Sequence, residues 1–129
     1  MDIVADTSIF LAVALNEPEK SGIVQLTTDA SITAPEILPY EIGNALSAMV
    51  KRKKLTEAEA LKAEKATGQI PVRLVGVDIC AALKIAAEQN IYAYDAYFLQ
   101  CARVYSLPLL TLDKRMKQVA VELGIQVLE

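Results

Sequence analysis

Two short apolar runs, one near each end of the chain, stop abruptly on an acid. Ile3-Val4-Ala5 leads into Asp6, and Leu107-Pro108-Leu109-Leu110-Thr111-Leu112 leads into Asp113. Apolar runs of this length without alternation suit strands buried on both faces, the condition of a parallel sheet covered by helices. Open α/β sheets place their ligands just past the carboxyl ends of such strands. The pattern therefore constrains the fold class and also the place where chemistry sits.

Between these runs the chain alternates strands with helices. Strands are expected at Ile3–Ala5, Ser31–Ala34 (closed by Pro35), Pro71–Val75, Leu107–Leu112 and Ile125–Leu128. Helices are expected at Ile9–Leu15, with Thr7 or Ser8 as cap, at Glu19–Thr28 and at Glu36–Lys53. Thr56 and Glu59 have the spacing of a capping box for a helix ending near Gly68. Asp78 and Asn90 bracket a helix over Ile79–Gln89, another runs from the Tyr92 region to about Tyr105, and a last one from Lys114 is closed by Gly124. At 129 residues this makes one domain, residues 1–129, a three-layer α/β sandwich around a parallel five-stranded sheet.

Two further acids lie on helices. On the helix after Pro35, Leu38, Ile42, Leu46 and Met49 form the core stripe, and Glu41, Asn44, Ala45 and Ala48 a neighbouring stripe of small and polar residues. Glu41 thus suits the rim of a cleft, although a solvent-facing Glu is the commoner case. Asp95 lies in the first turn of a helix whose residues Tyr94, Phe98, Cys101, Ala102 and Tyr105 share a face read as core. Plain capping would explain Asp95, but an acid in so aromatic a stretch is at least partly buried and no neighbouring cation partners it. Asp78 is read as a cap only. Lys51-Arg52-Lys53-Lys54 complements a helix C-terminus, or alternatively contacts phosphate.

The chain contains no histidine, which excludes Ser-His-Asp, Cys-His and histidine-ligated metal chemistry. Cys80 and Cys101 both fall on expected helices and read as reduced, buried thiols. Asp6, Glu41, Asp95 and Asp113 are expected to converge on one crevice. Four carboxylates together repel, so holding them ionised requires cations, and an oxygen-only donor set selects Mg²⁺ or Mn²⁺. Such a site suits phosphodiester hydrolysis. The net charge of −3 argues against a nucleic-acid partner at first sight. With the four acids neutralised by metal the remainder is slightly basic, so global charge does not decide the matter.

Asp6-Thr7-Ser8, Glu41-Ile42-Gly43-Asn44-Ala45-Leu46, Tyr94-Asp95-Ala96 and Thr111-Leu112-Asp113, in this order and over essentially the whole chain, resemble the PIN-domain signature, in particular the VapC toxin branch. The resemblance implies a sheet of order 3-2-1-4-5, which brings Asp6 and Asp113 together. It further implies a Mg²⁺- or Mn²⁺-dependent ribonuclease acting on RNA, commonly dimeric, and held inactive by a VapB-type antitoxin. Asp6 and Asp95 would be the principal metal ligands, with Glu41 and Asp113 completing the site and Thr7, Ser8, Asn44 and Thr111 as supporting polar groups.

Rival readings fit less well. A haloacid-dehalogenase-like phosphatase needs an acid where Ser8 stands, and a phosphoreceiver domain needs an acidic neighbour that Asp6 lacks. A non-catalytic PIN-fold binding or oligomerisation module remains the alternative, and it predicts no metal requirement. The hydrophobic share is 53% and the charged share 22%, which favours a globular chain over a disordered one. No apolar run reaches membrane-spanning length and no basic leader precedes the first strand, so the expected location is the cytoplasm, with no membrane contact.

Overall fold

Ile3, Val4 and Ala5 have no exposed surface, as a strand covered on both faces requires. In the computed structural model, which describes residues 1–129, they belong to β1 (Asp2–Ala5), the strand on which the sheet is built. β2 (Ser31–Pro35) pairs with it on one side, β4 (Leu109–Leu110) on the other, and β3 (Arg73–Val75) extends the β2 side. All pairings are parallel, with Ile3 opposite Ile32, Ala5 opposite Leu110 and Thr33 opposite Arg73. The order is therefore β3-β2-β1-β4, and the direction of winding reverses at β1. That reversal is the switch point at which α/β sheets open a crevice.

The expected fifth strand is reduced to a single parallel bridge between Leu109 and Val127. Leu109 N–H donates to Gln126 O at 2.8 Å, and Leu128 N–H donates to Leu109 O at 2.9 Å. The cause lies in β4, which keeps only two residues of the run Leu107–Leu112. Pro108 has no N–H to give a ladder. Beyond Leu110 the N–H groups of Leu112 and Asp113 go to the hydroxyls of Ser8, at 3.1 Å, and Thr111, at 3.0 Å. A two-residue strand leaves its outer neighbour little to pair with.

Helices α1 (Thr7–Ala14), α2 (Lys20–Thr27), α3 (Leu38–Lys51) and α4 (Glu57–Gly68) lie in the connections that step outward from β1 to β3. Helices α5 (Ile79–Gln89) and α6 (Ala93–Val104) lie in the connection that returns across the sheet to β4, followed by α7 (Lys114–Glu122). Right-handed crossovers in opposite directions put the two groups on opposite faces. In agreement, α1 packs against α3 and α4, and α5 against α6. Phe10, Phe98, Ile3, Ile85, Leu99, Leu109 and Met116 are the largest fully buried side chains. No helix is long and apolar enough to cross a membrane.

Several local expectations hold in detail. Thr56 and Glu59 form a reciprocal capping box, with bonds of 3.1 and 2.9 Å. Asp78 caps α5 by accepting from Ala81 N–H at 3.1 Å, and Asn90 closes that helix in the left-handed region at φ 54°. Others need correction. Thr7 and Ser8 do not cap α1; the helix starts at Thr7 with Asp6 at its N-cap position, and no side chain caps it. Cys80 is exposed rather than buried, because it stands two residues from buried Ala82 and so on the far side of α5. Tyr94 and Tyr105 are 56% and 42% exposed, whereas Phe98, Cys101 and Ala102 are buried. Twelve helical residues span about 18 Å and a four-residue strand about 13 Å, so the ends of α6 overhang the sheet.

Replacing Thr56 by Ala removes the capping acceptor of α4 and is expected to lower stability by about 1 kcal/mol. Urea denaturation would read this as a shifted midpoint at unchanged slope.

Candidate carboxylate site

Each of the four acids stands at the start of a helix. Asp6 is at the N-cap of α1, Glu41 in the first turn of α3, Asp95 in the first turn of α6, and Asp113 at the N-cap of α7. The strands deliver these helix starts to the carboxyl edge of the sheet, so the positive ends of four helix dipoles meet over the switch point. The arrangement favours negative charge there before any side-chain contact is considered.

Asp6 is the most buried of the set, 5% exposed. Backbone bonding ties it to the strand junction, its N–H donating to Leu110 O at 3.2 Å. Ser8 Oγ donates to its Oδ1 at 2.5 Å, and Thr111 Oγ1 donates to its Oδ2 at 2.6 Å. Both hydroxyls are in turn fixed as acceptors of the Leu112 and Asp113 N–H groups. Thr7 Oγ1 donates to Glu41 Oε2 at 2.9 Å. Hydroxyls expected to cap α1 thus orient carboxylates instead.

Burial raises the pKa of Asp6 above its ordinary value. Donation from Ser8, Thr111 and the Ile9 N–H opposes the rise, and the charge of Asp113 adds to it. Glu41 is raised first by burial, then by the charges of Asp95 and Asp6, against the pull of Thr7. Asp95 is raised by burial and by Asp113 and Asp6. Asp6, Glu41 and Asp95 each therefore sense the charge of at least one neighbouring acid. No protein cation offsets them: the chain's single ion pair joins Lys117 to Glu129, 3.9 Å apart.

This donor set fits a hard divalent ion. No three of the acids are gathered closely enough to close around one ion by themselves, but Mg²⁺ keeps several waters and needs only one or two carboxylates beside substrate phosphate. Asp113 is exposed and its Oδ1 accepts from Met116 N–H at 3.0 Å. Asn44 is exposed and lines, with Thr7, Glu41, Tyr40 and Tyr94, a cavity of about 330 Å³ beside the acids. Lys51 to Lys54 are exposed at the end of α3, about 15 Å along the helix axis from Glu41.

A model of the PIN domain matches residues 3–122. The chain belongs to the PIN-domain family. PIN domains are generally nucleases that use divalent metals, in keeping with the acid set described above. Two solved structures share the fold. One is PAE2754 from Pyrobaculum aerophilum, 20% identical, with a TM-score of 0.66 over 96% of this chain and 98% of that one. The other is VapBC2 from Rickettsia felis bound to a DNA fragment from their promoter, 14% identical, with a TM-score of 0.68 over 99% and 98%. Among curated proteins none matches the chain.

For this PIN domain, sequence reasoning did not find Tyr40 and read Tyr94 as core. Both are exposed at the rim. The signal was their place immediately before Glu41 and Asp95, a helical step of about 100° away from the acid.

The raised carboxyls make stability fall with pH in the absence of metal. In the unfolded chain they deprotonate near 3.8 (Asp) and 4.5 (Glu), whereas the folded state retains their protons to higher pH. Between the two, the folded state binds more protons, so stability declines as pH rises through that window and levels off above it. Melting curves in chelator are expected to show this decline, and Mg²⁺ or Mn²⁺ to reverse it by raising the melting temperature at neutral pH. Curves indifferent to both pH and metal would count against the cluster.

Proposed function

We propose that this protein, acting as one domain over residues 1–129, is a Mg²⁺- or Mn²⁺-dependent endoribonuclease that hydrolyses RNA phosphodiester bonds. The observation that supports it best is the group of four mutually repelling acids, without a protein cation, at the switch point of a PIN fold. Asp6 and Asp95 are the proposed principal ligands, with Glu41 and Asp113 completing the site. A bound divalent ion supplies an activated water and neutralises charge on the phosphoryl oxygens.

The chain's own residues define where that happens. Ser8 and Thr111 hold both Asp6 oxygens in one orientation, and Thr7 does the same for one oxygen of Glu41. These bonds preorganise the donors, so little rearrangement is needed when substrate arrives. Asn44, on the adjacent cavity wall, is available to the substrate or to bound water.

The likeness to VapBC2 supports a further reading, that the protein is the toxin of a VapBC-type pair, restrained by a VapB-type antitoxin. On this reading it works in the cytoplasm as a homodimer. Lys51, Arg52, Lys53 and Lys54 are proposed to contact phosphate away from the acids.

Asp6→Asn is expected to abolish metal-dependent RNA cleavage, lowering turnover by orders of magnitude, while circular dichroism stays native, since a charge but little volume is removed. Calorimetric Mn²⁺ titration on the same pair of proteins tests the site directly. A variant that binds Mn²⁺ and cleaves like the wild type would sink the assignment, and no Mn²⁺ binding in either protein would favour the non-catalytic module.

Charge reversal across Lys51 to Lys54 is expected to weaken RNA binding and flatten its salt dependence, by roughly one unit of slope for each phosphate the run no longer neutralises. Titrations at two ionic strengths check this; identical curves would return the run to a solvated helix end.

A further inference from the structure

Three of the four acids have their carboxylates held directly. Ser8 and Thr111 donate to Asp6, Thr7 donates to Glu41, and Met116 N–H donates to Asp113. Asp95 accepts no hydrogen bond; burial acts on it, then the charge of Asp113, then that of Asp6. Its place over the crevice is therefore set by its backbone, that is, by where α6 begins. No side chain caps that helix, and Tyr92 stands at its N-cap position. Asn90, Ile91 and Tyr92 join it to α5, which ends at Gln89 with Asn90 in the left-handed region.

One side chain reaches this junction from the element that carries Asp113. Arg115, in the first turn of α7, donates from its guanidinium to the Gln89 carbonyl at 2.7 Å. No other hydrogen bond joins α7 to the α5–α6 pair. The last carbonyls of a helix lack partners within it, so Gln89 has an acceptor to spare, and a charged donor makes the bond a strong one. Arg115 is exposed, but Met116 beside it is buried. The start of α7 is thus seated in the core while the guanidinium holds the junction.

We propose that Arg115 is a positioning residue of the carboxylate site: by fastening the α5–α6 junction to the start of α7, it fixes where Asp95 stands relative to Asp113 and thereby sets the affinity for a divalent ion. This rests on the metal-site reading above and adds a cation that serves the acids without pairing with any of them. Two simpler roles predict different outcomes. An arginine that only completes the end of α5 affects stability and not metal binding. An arginine that acts only through its charge repels a cation, so its removal tightens metal binding. Positioning alone makes its removal weaken binding.

The test is calorimetric Mn²⁺ titration of the metal-free protein, wild type beside Arg115→Ala and Arg115→Lys, with melting curves in chelator. Arg115→Ala is expected to raise the Kd for Mn²⁺ roughly tenfold, the size usual for groups that orient metal ligands. Its melting temperature in chelator is expected to change little, because the bond it loses is exposed. Lysine keeps a charged donor for the single carbonyl, so Arg115→Lys is expected to recover most of the affinity. Unchanged Mn²⁺ binding by Arg115→Ala, with or without a lower melting temperature, overturns the proposal in favour of a helix end. Tighter binding overturns it in favour of bare charge, and a loss that lysine leaves uncorrected overturns it as well; in all three cases the metal site stands. A wild type that binds no Mn²⁺ removes the metal reading and the positioning role together.

Discussion

The carboxylate of Asp6 lies almost fully out of water where β1 meets β4, and a lone ionised carboxylate in such a place would be strongly destabilising. Its surroundings show how the fold accommodates it. Ser8 and Thr111 donate to its two oxygens, and each hydroxyl accepts a backbone N–H from the segment following β4. The stretch that ends the strand is thereby the stretch that orients the acid. Shortening of β4 and loss of a regular fifth strand are the structural counterpart of this arrangement, since the same N–H groups cannot also serve a ladder.

Hydroxyl donation does not complete the compensation. Burial still outweighs it at Asp6, and Glu41 and Asp95 are raised in the same direction by burial and by neighbouring acids, Asp95 and Asp6 acting on Glu41 and Asp113 and Asp6 on Asp95. Four helix N-termini favour negative charge over the crevice, but no lysine or arginine is paired with any of the four acids. A cluster left in this condition is a local destabilisation kept by the scaffold, of the kind that concentrates at functional sites.

Much of this was legible in the residues. Apolar runs ending in Asp6 and Asp113 located two strands and the crevice, and the Thr56–Glu59 spacing and the Asp78–Asn90 bracket located helix boundaries. Legibility failed where tertiary contacts redirected a group with several options. Ser8 and Thr7 have hydroxyls suited to capping, and only the proximity of Asp6, Leu112 and Glu41 decides that they do otherwise. Periodicity placed Tyr94 and Tyr105 on the buried face of α6, but the helix outruns the strands it covers, a comparison of lengths that no window within the helix contains. Of the acids, Glu41 was the least determined in advance; the Thr7 hydrogen bond distinguishes it from an ordinary surface glutamate.

The bond from Thr111 to Asp6 joins residues 105 positions apart, and β4 pairs with β1 across nearly the same separation. Contacts so distant in sequence form late and slowly, because a long stretch of chain must be ordered before they can hold. During synthesis from the N-terminus, Asp6 emerges well before its orienting partner and waits for it until residue 111 has left the ribosome. Through that interval its carboxylate has neither the β4 strand nor the Thr111 hydroxyl, and the crevice does not exist. The fold thus carries its own delay, so that assembly of the site waits on the arrival of β4 and the segment that follows it.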